Sequence, residues 1–278
     1  MTSGIFSGLF DDASLFPPAS LTMVDAVAGH LRHQAAWYGA MSGPFVCADT
    51  RLGQLSAMLT AAAVAELDLA LVLPGGVSSL AAAVDAVFAD PRLRLRAVEL
   101  PVGEAAASDV AAALDVTPLQ DASAFLEIPV RHVDAGILKV VAEHRYLVKL
   151  RTGGVSADAF PDEATLARCL VAMAEARQAF KCTAGLHRAV RHRAEDTGFE
   201  HHGFLNVLLA VRAAFDGGAP ARVEAVLADQ DSGRVARAVA DLDEEDAAEI
   251  RSLFTSVGTC STDEPVADLV TLGLVSEH

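Results

Sequence analysis

Two lysines sit where an apolar chain seldom places a charge. The run "YLVKLRTGG" (146–154) carries Lys149 and Arg151, and "FKCTAGLH" (180–187) carries Lys181, each lysine shortly ahead of a threonine and a glycine. A lysine walled by apolar side chains beside a second cation has its ammonium form disfavoured, so a neutral amine becomes available near neutral pH. Such an amine adds to a carbonyl group and forms a Schiff base. The residue types therefore point to amine chemistry on a small carbonyl compound, with Arg151 and Lys181 placed to bind its anionic group.

Chemistry of this kind requires elements that hold the groups together. Short apolar runs, "PFVCADTR", "DLALVLPGG", "RAVELPV", "AFLEIPV", "YLVKLRTGG" and "FKCTAGLH", alternate with Ala/Leu-rich stretches such as "LGQLSAMLTAAAVAEL" and "DEATLARCLVAMAEARQAF". Polar residues appear only at the ends of the short runs, which reads as strands buried on both faces. With Asp49, Pro74, Glu99, Glu127, Lys149 and Lys181 as strand-end markers, the spacings are 25, 25, 28, 22 and 32 residues, one βα unit per step. Six such units, with "RVEAVLAD" (222–229) and "FTSVGTCS" (254–261) as the last two strands, predict a single-domain (β/α)8 TIM-type barrel of the α/β class. The last two units are expected to be irregular, because "DQDSGRVARAVADLDEEDAAEIRSLF" reads as one long charged helix. A doubly wound sheet is the alternative, but "CADTRLGQL" lacks the GxGxxG turn that would follow its first strand. Residues 1–43 are expected to form an N-terminal extension and helix packed on the barrel.

Side chains alternate along a strand, so Lys149 and Arg151 share one face while Val148 and Leu150 share the other. The apolar pair must meet the helices, which turns Lys149 and Arg151 inward. The same parity sends Lys181, Thr183, Glu99, Glu127 and Asp49 inward. Three acidic and three basic groups then converge at the C-terminal mouth of the barrel, where this fold places its chemistry. Among the cysteines near strand ends, Cys47 alone has inward parity, and it reads as a small packing residue. Glu99 and Glu127 are expected to move protons. The loop "GLHRAVRHRAEDTGFEHHGFLN" places His187 one turn past the sixth strand as a general acid/base candidate, and His202 and Asn206 at a helix start suited to anion binding. A metal held by Glu99, Glu127, Asp49 and His187 is disfavoured by the adjoining lysines and arginine, and no HExxH-like signature exists. Neither metal nor cofactor is expected.

"YLVKLRTGG" followed 32 residues later by "FKCTAGLH" resembles the consecutive strand pair of deoxyribose-phosphate aldolase and related class I aldolases. That resemblance implies Lys149 as the imine-forming nucleophile and Lys181 as the neighbour that lowers its pKa. It places Gly153, Gly154 and Gly185 near the substrate's anionic group, with Thr152 and Thr183 beside them. Arg151 departs from the pattern, where a small polar residue stands, and so does Leu186, where a glycine stands. Over the whole chain, "LFDDASLFPP", "KLRTGG", "KCTAGLHRAVRH", "HHGFLNVLLAV" and "GTCSTDEPVADLVTLGLV" resemble a family of uncharacterised actinobacterial proteins, which implies a single domain and no mechanism.

Composition limits the partners. A formal charge of −16 and a pI near 4.8 oppose a general attraction to nucleic acid or anionic membrane, so any anionic ligand must be held by local cations. No apolar run reaches the roughly 18 residues of a membrane span, and the start lacks an export-signal layout, so a cytoplasmic location is expected. The four cysteines form no CxxC pair, which speaks against structural zinc or a disulfide framework. "LFDDASLFPP" has two open roles, plugging the barrel bottom or exchanging with a partner subunit in a homo-oligomer. The expected function is that of an aldolase-like lyase on a small anionic carbonyl substrate. The alternatives are a phosphoribosyltransferase- or isomerase-like barrel that clamps an anion without an imine, and a non-catalytic binding barrel.

Overall fold

Each buried apolar run pairs with the next one along the chain, and the last pairs back to the first. The computed structural model describes residues 3–102, 107–195 and 197–277. The strands are β1 (Phe10–Asp12), β2 (Ser42–Ala48), β3 (Leu67–Val72), β4 (Leu93–Pro101), β5 (Ser123–Ile128), β6 (Leu147–Arg151), β7 (Phe180–Thr183), β8 (His192–Arg193), β9 (Glu200–His201) and β10 (Phe254–Thr259). Strands β1 to β7 and β10 form a closed eight-stranded barrel, and all its pairings are parallel. The chain is thus a (β/α)8 TIM-type barrel. Strands β8 and β9 make a small antiparallel hairpin in the connection after β7.

The helices are α1 (Met23–Ala35), α2 (Leu52–Ala61), α3 (Leu80–Phe88), α4 (Ala107–Asp115), α5 (Ala135–Glu143), α6 (Glu163–Glu175), α7 (Phe204–Phe215), α8 (Pro220–Leu227), α9 (Ser232–Ala240), α10 (Glu244–Leu253) and α11 (Asp263–Thr271). Caps fix several starts. The side chains of Thr22, Asp134, Asp162 and Asp231 each accept a backbone N–H of the first turn, and Asp243 with Asp246 forms a capping box.

Three expectations are corrected. The first barrel strand is β1, inside the segment expected to plug the barrel bottom or exchange with a partner subunit, so residues 1–43 are not merely an extension. Residues 222–229 are not a strand: Pro220 opens α8, and Val223 and Leu227, four apart, bury one helical face. The charged stretch read as one helix is two, α9 and α10, divided where the Asp243 capping box starts a new helix.

Two apolar layers follow from strand parity. Phe45, Cys47, Leu69, Leu71, Val98, Leu126, Val148, Leu150, Phe180 and Cys182 belong to the large core between strands and helices. Ala13, Val46, Ala70, Ala97 and Phe125 form a separate cluster within the barrel. Cys47 therefore faces the helices, opposite to the expected parity. Among the described residues no helix is long and apolar enough to cross a membrane.

Candidate active site at the barrel mouth

The strand register brings the charged side chains together. Glu127 pairs with Lys149, Lys149 with Lys181, and Arg151 with Thr183, so groups of equal parity on β5, β6 and β7 stand side by side. Their side chains form one continuous chain of contacts. Lys149 Nζ lies 2.9 Å from Glu127 Oε2 and 2.7 Å from Glu99 Oε2. Lys181 Nζ lies 2.5 Å from Glu99 Oε1 and also donates to Asp11 Oδ2. Ser256 Oγ donates to the same Asp11 oxygen at 2.8 Å, and Arg151 Nε donates to Glu127 Oε1 at 3.0 Å.

Burial is graded along this chain. The side chains of Lys181 and Glu99 are 1% and 2% exposed, Lys149 5%, Glu127 18% and Arg151 49%. Arg151 and Glu127 therefore face the opening, and Asp11, Lys181 and Glu99 form the floor. Beneath Lys181 the Phe125 ring lies 5.4 Å from Nζ, a cation–π contact in the barrel interior.

Three negative and three positive groups balance, but not uniformly. Burial alone would raise Glu99, yet the ammonium groups of Lys149 and Lys181 outweigh it and hold the carboxyl at about 2. Glu127 is likewise held low by Lys149 and Arg151 against its burial. Burial prevails at Asp11, whose pKa is raised despite Lys181, with the charge of Glu99 adding to the rise. Lys181 is the reverse case: burial would favour the neutral amine, but Asp11 and Glu99 together hold the ammonium form. Its charge is thus matched locally, and its field at Lys149 is offset by the carboxylate they share.

Asp11 occupies the place expected for Asp49. Strand β2 ends at Ala48, and Asp49 lies on the following turn, half-buried, accepting the Thr50 N–H at 2.7 Å. Asp11 fits because β2 carries Gly43 beside it: any Cβ there would stand 2.2 Å from Asp11 Oδ1. The adjacent Asp12 has opposite parity and meets His30 of α1 at 3.1 Å. Asp11 and Ser256 are the site residues that the sequence reading missed, although two carboxylates in the apolar "LFDDASLF" were a usable signal.

The remaining expected residues divide between rim and scaffold. Thr183 is inward beside Arg151. Thr152 is buried and donates to Ala184 O at 2.7 Å, tying the end of β6 to the end of β7 rather than facing the opening. Gly153 and Gly185 abut; a Cβ on Gly153 would stand 2.8 Å from both Gly185 Cα and a ring carbon of Phe160, and Gly185 has φ 78°. Gly154 is exposed and packs near Ala159. These glycines let the loops after β6 and β7 pack closely.

His202 and Asn206 likewise belong to the scaffold. Both are fully buried. His202 Nε2 donates to Pro161 O at 2.8 Å, and its Nδ1 lies 3.3 Å from the Arg191 guanidinium. The Asn206 amide donates to Val226 O and Asp229 O and accepts from Arg191 N. Neither has a polar atom left for a ligand. His187 stands at the rim between Cys260 Sγ, 3.5 Å away, and Glu264, 3.7 Å away. Burial and nearby His192 lower its pKa, so the imidazole is neutral at physiological pH.

Among the described residues no three His, Cys, Asp or Glu side chains are grouped so as to hold a metal ion. No protein-family model matches the chain, and no curated protein matches it.

Proposed function

We propose that the chain is an enzyme acting on a small anionic carbonyl compound at the C-terminal mouth of its barrel, with Lys149 as Schiff-base former in a lyase reaction of the class I aldolase type. One observation carries this reading: Lys149 Nζ lies between a buried carboxylate, Glu99, and one that faces the opening, Glu127. The amine thus has a proton acceptor on its solvent side and an anchor beneath it.

The steps balance on these groups. Glu127 takes a proton from the Lys149 ammonium as the substrate displaces water, and the freed amine adds to the carbonyl carbon. The nitrogen of the adduct passes one proton to its alkoxide oxygen, and protonated Glu127 gives its proton to the hydroxyl so formed, so that water departs and a cationic imine remains. Loss of the proton from a β-hydroxyl to Glu127 breaks the carbon–carbon bond, its electron pair passes into the imine as an enamine, and one fragment leaves as an aldehyde or ketone; Glu127 then returns the proton to the enamine carbon, and water hydrolyses the imine to release the other fragment and the Lys149 amine. Arg151, half exposed and bound to Glu127 through Nε, holds the substrate's anionic group with its outer nitrogens.

A specific observation favours a second reading. Glu99 and Asp11 keep Lys181 charged, and Lys149 is paired on two sides, an arrangement suited to stabilising an anion electrostatically without an imine, as a transferase or isomerase would. Borohydride trapping with a panel of small aldehydes, ketones and 2-oxo acids, read by peptide mass mapping, separates the two. The lyase reading expects one adduct, on Lys149, that is absent in Lys149→Met. No adduct, or one on another lysine, removes it in favour of the clamp.

A further inference from the structure

The ionic chain lines only part of the barrel mouth. The C-terminal halves of β2 and β3 contribute Val46, Ala48, Ala70 and Val72, and the loop after β1 contributes Ala13 and Phe16. Register sets this apolar wall directly against the ionic one, since Ala48 pairs with Val72 and Val72 with Glu99. Phe16 and Val72 pack on the interior apolar cluster yet stay only partly buried, so apolar surface remains open toward the mouth. Asp12, next to Ala13, is turned away to His30 in α1, and Asp49, next to Ala48, lies on the turn after β2 and accepts the Thr50 N–H.

From this division, and resting on the reading that the mouth takes an anionic carbonyl compound, we infer that the substrate is amphipathic: a carboxylate-bearing carbonyl compound with an aliphatic or aromatic substituent. Arg151 takes the carboxylate, Lys149 meets the carbonyl, and the substituent rests on Phe16, Val72 and Ala48. Against the side chains of Phe16, Val72 and Ala48 the hydroxyl groups of a sugar phosphate would find no hydrogen-bond partner, at a cost in affinity. An apolar substituent gains instead from leaving water, with an affinity increase of roughly fourfold for each methylene covered.

The test is calorimetric binding of three unreactive probes, acetate, isovalerate and isoamyl alcohol, to the full chain. Isovalerate is expected to bind more tightly than acetate by at least tenfold, and more tightly than the alcohol. Arg151→Gln should weaken both carboxylates alike, whereas Val72→Ser and Phe16→Ala should weaken isovalerate alone. Equal binding of acetate and isovalerate, an alcohol that binds as well as isovalerate, no isovalerate binding at millimolar concentration, or a preference unmoved by both wall substitutions would each overturn the inference. Because these probes form no imine, a failed borohydride trap beside a kept isovalerate preference removes the lyase reading alone.

Discussion

Lys149 and Lys181 hold one carboxylate from opposite sides, the first on Oε2 of Glu99 and the second on Oε1. Loss of that carboxylate leaves two buried ammonium groups each short of a partner. Glu99→Gln is therefore expected to cost about 3–5 kcal/mol of stability, the range for breaking a buried ion pair from one side. Urea denaturation measures it, and Arg151→Gln, at the half-exposed end of the chain, should cost less than about 1 kcal/mol by the same method.

The acid limb of stability follows from the same groups. Glu99 sits at about 2 in the folded protein against 4.5 for an ordinary glutamate, and Glu127 is also lowered. A lowered carboxylate stabilises the fold above its ordinary pKa and loses that contribution as pH falls toward the folded value. Asp11 acts in the opposite sense, because its raised pKa favours the fold as it takes up a proton. Stability is thus expected to fall between about pH 4.5 and pH 2, with a shallower slope in Glu99→Gln, whereas the opposing contribution of Asp11 enters only above its ordinary value of 3.8. Urea midpoints across that range give the slopes.

How much of this was legible depends on strand length. In "VKLR" and "FKCT" polar and apolar residues alternate without a break, so parity alone turned Lys149, Arg151, Lys181 and Thr183 inward. Strand β1 has three residues and two adjacent carboxylates, Asp11 and Asp12, so no alternation could tell which faced the barrel; the answer lies with tertiary neighbours, Lys181 for one and His30 for the other. Asp49 was misplaced because β2 stops one residue before it. Residues 222–229 misled because an apolar run of that length suits a strand or a buried helix equally.

Asn206 is expected to matter without touching a ligand. Asn206→Ala leaves Val226 O, Asp229 O and Arg191 N without their partner and should cost about 3 kcal/mol, roughly 1 kcal/mol for each lost bond. Calorimetric affinity for a carboxylate probe, measured where the variant is folded, should stay within about twofold of the parent. A drop of tenfold or more would return Asn206 to the ligand site.

The cysteines should divide three to one. Cys47, Cys169 and Cys182 are buried, and burial pushes the first two thiols up to about 12. Cys260, at the rim beside His187, is only partly covered. Iodoacetamide on the native protein is expected to add a single label, on Cys260, and four after denaturation, counted by intact mass.

Lys139, Lys149 and Lys181 are the chain's three lysines, and Lys139 is exposed on α5. Lysine-selective nitrogen-15 labelling therefore gives three side-chain ammonium signals, and Glu99→Gln reads the shared carboxylate directly. The signals of Lys149 and Lys181 should both move and lose their protection from exchange, while that of Lys139 stays in place. A change at one interior lysine alone, or at neither, would contradict the bridged pair on which the site is built.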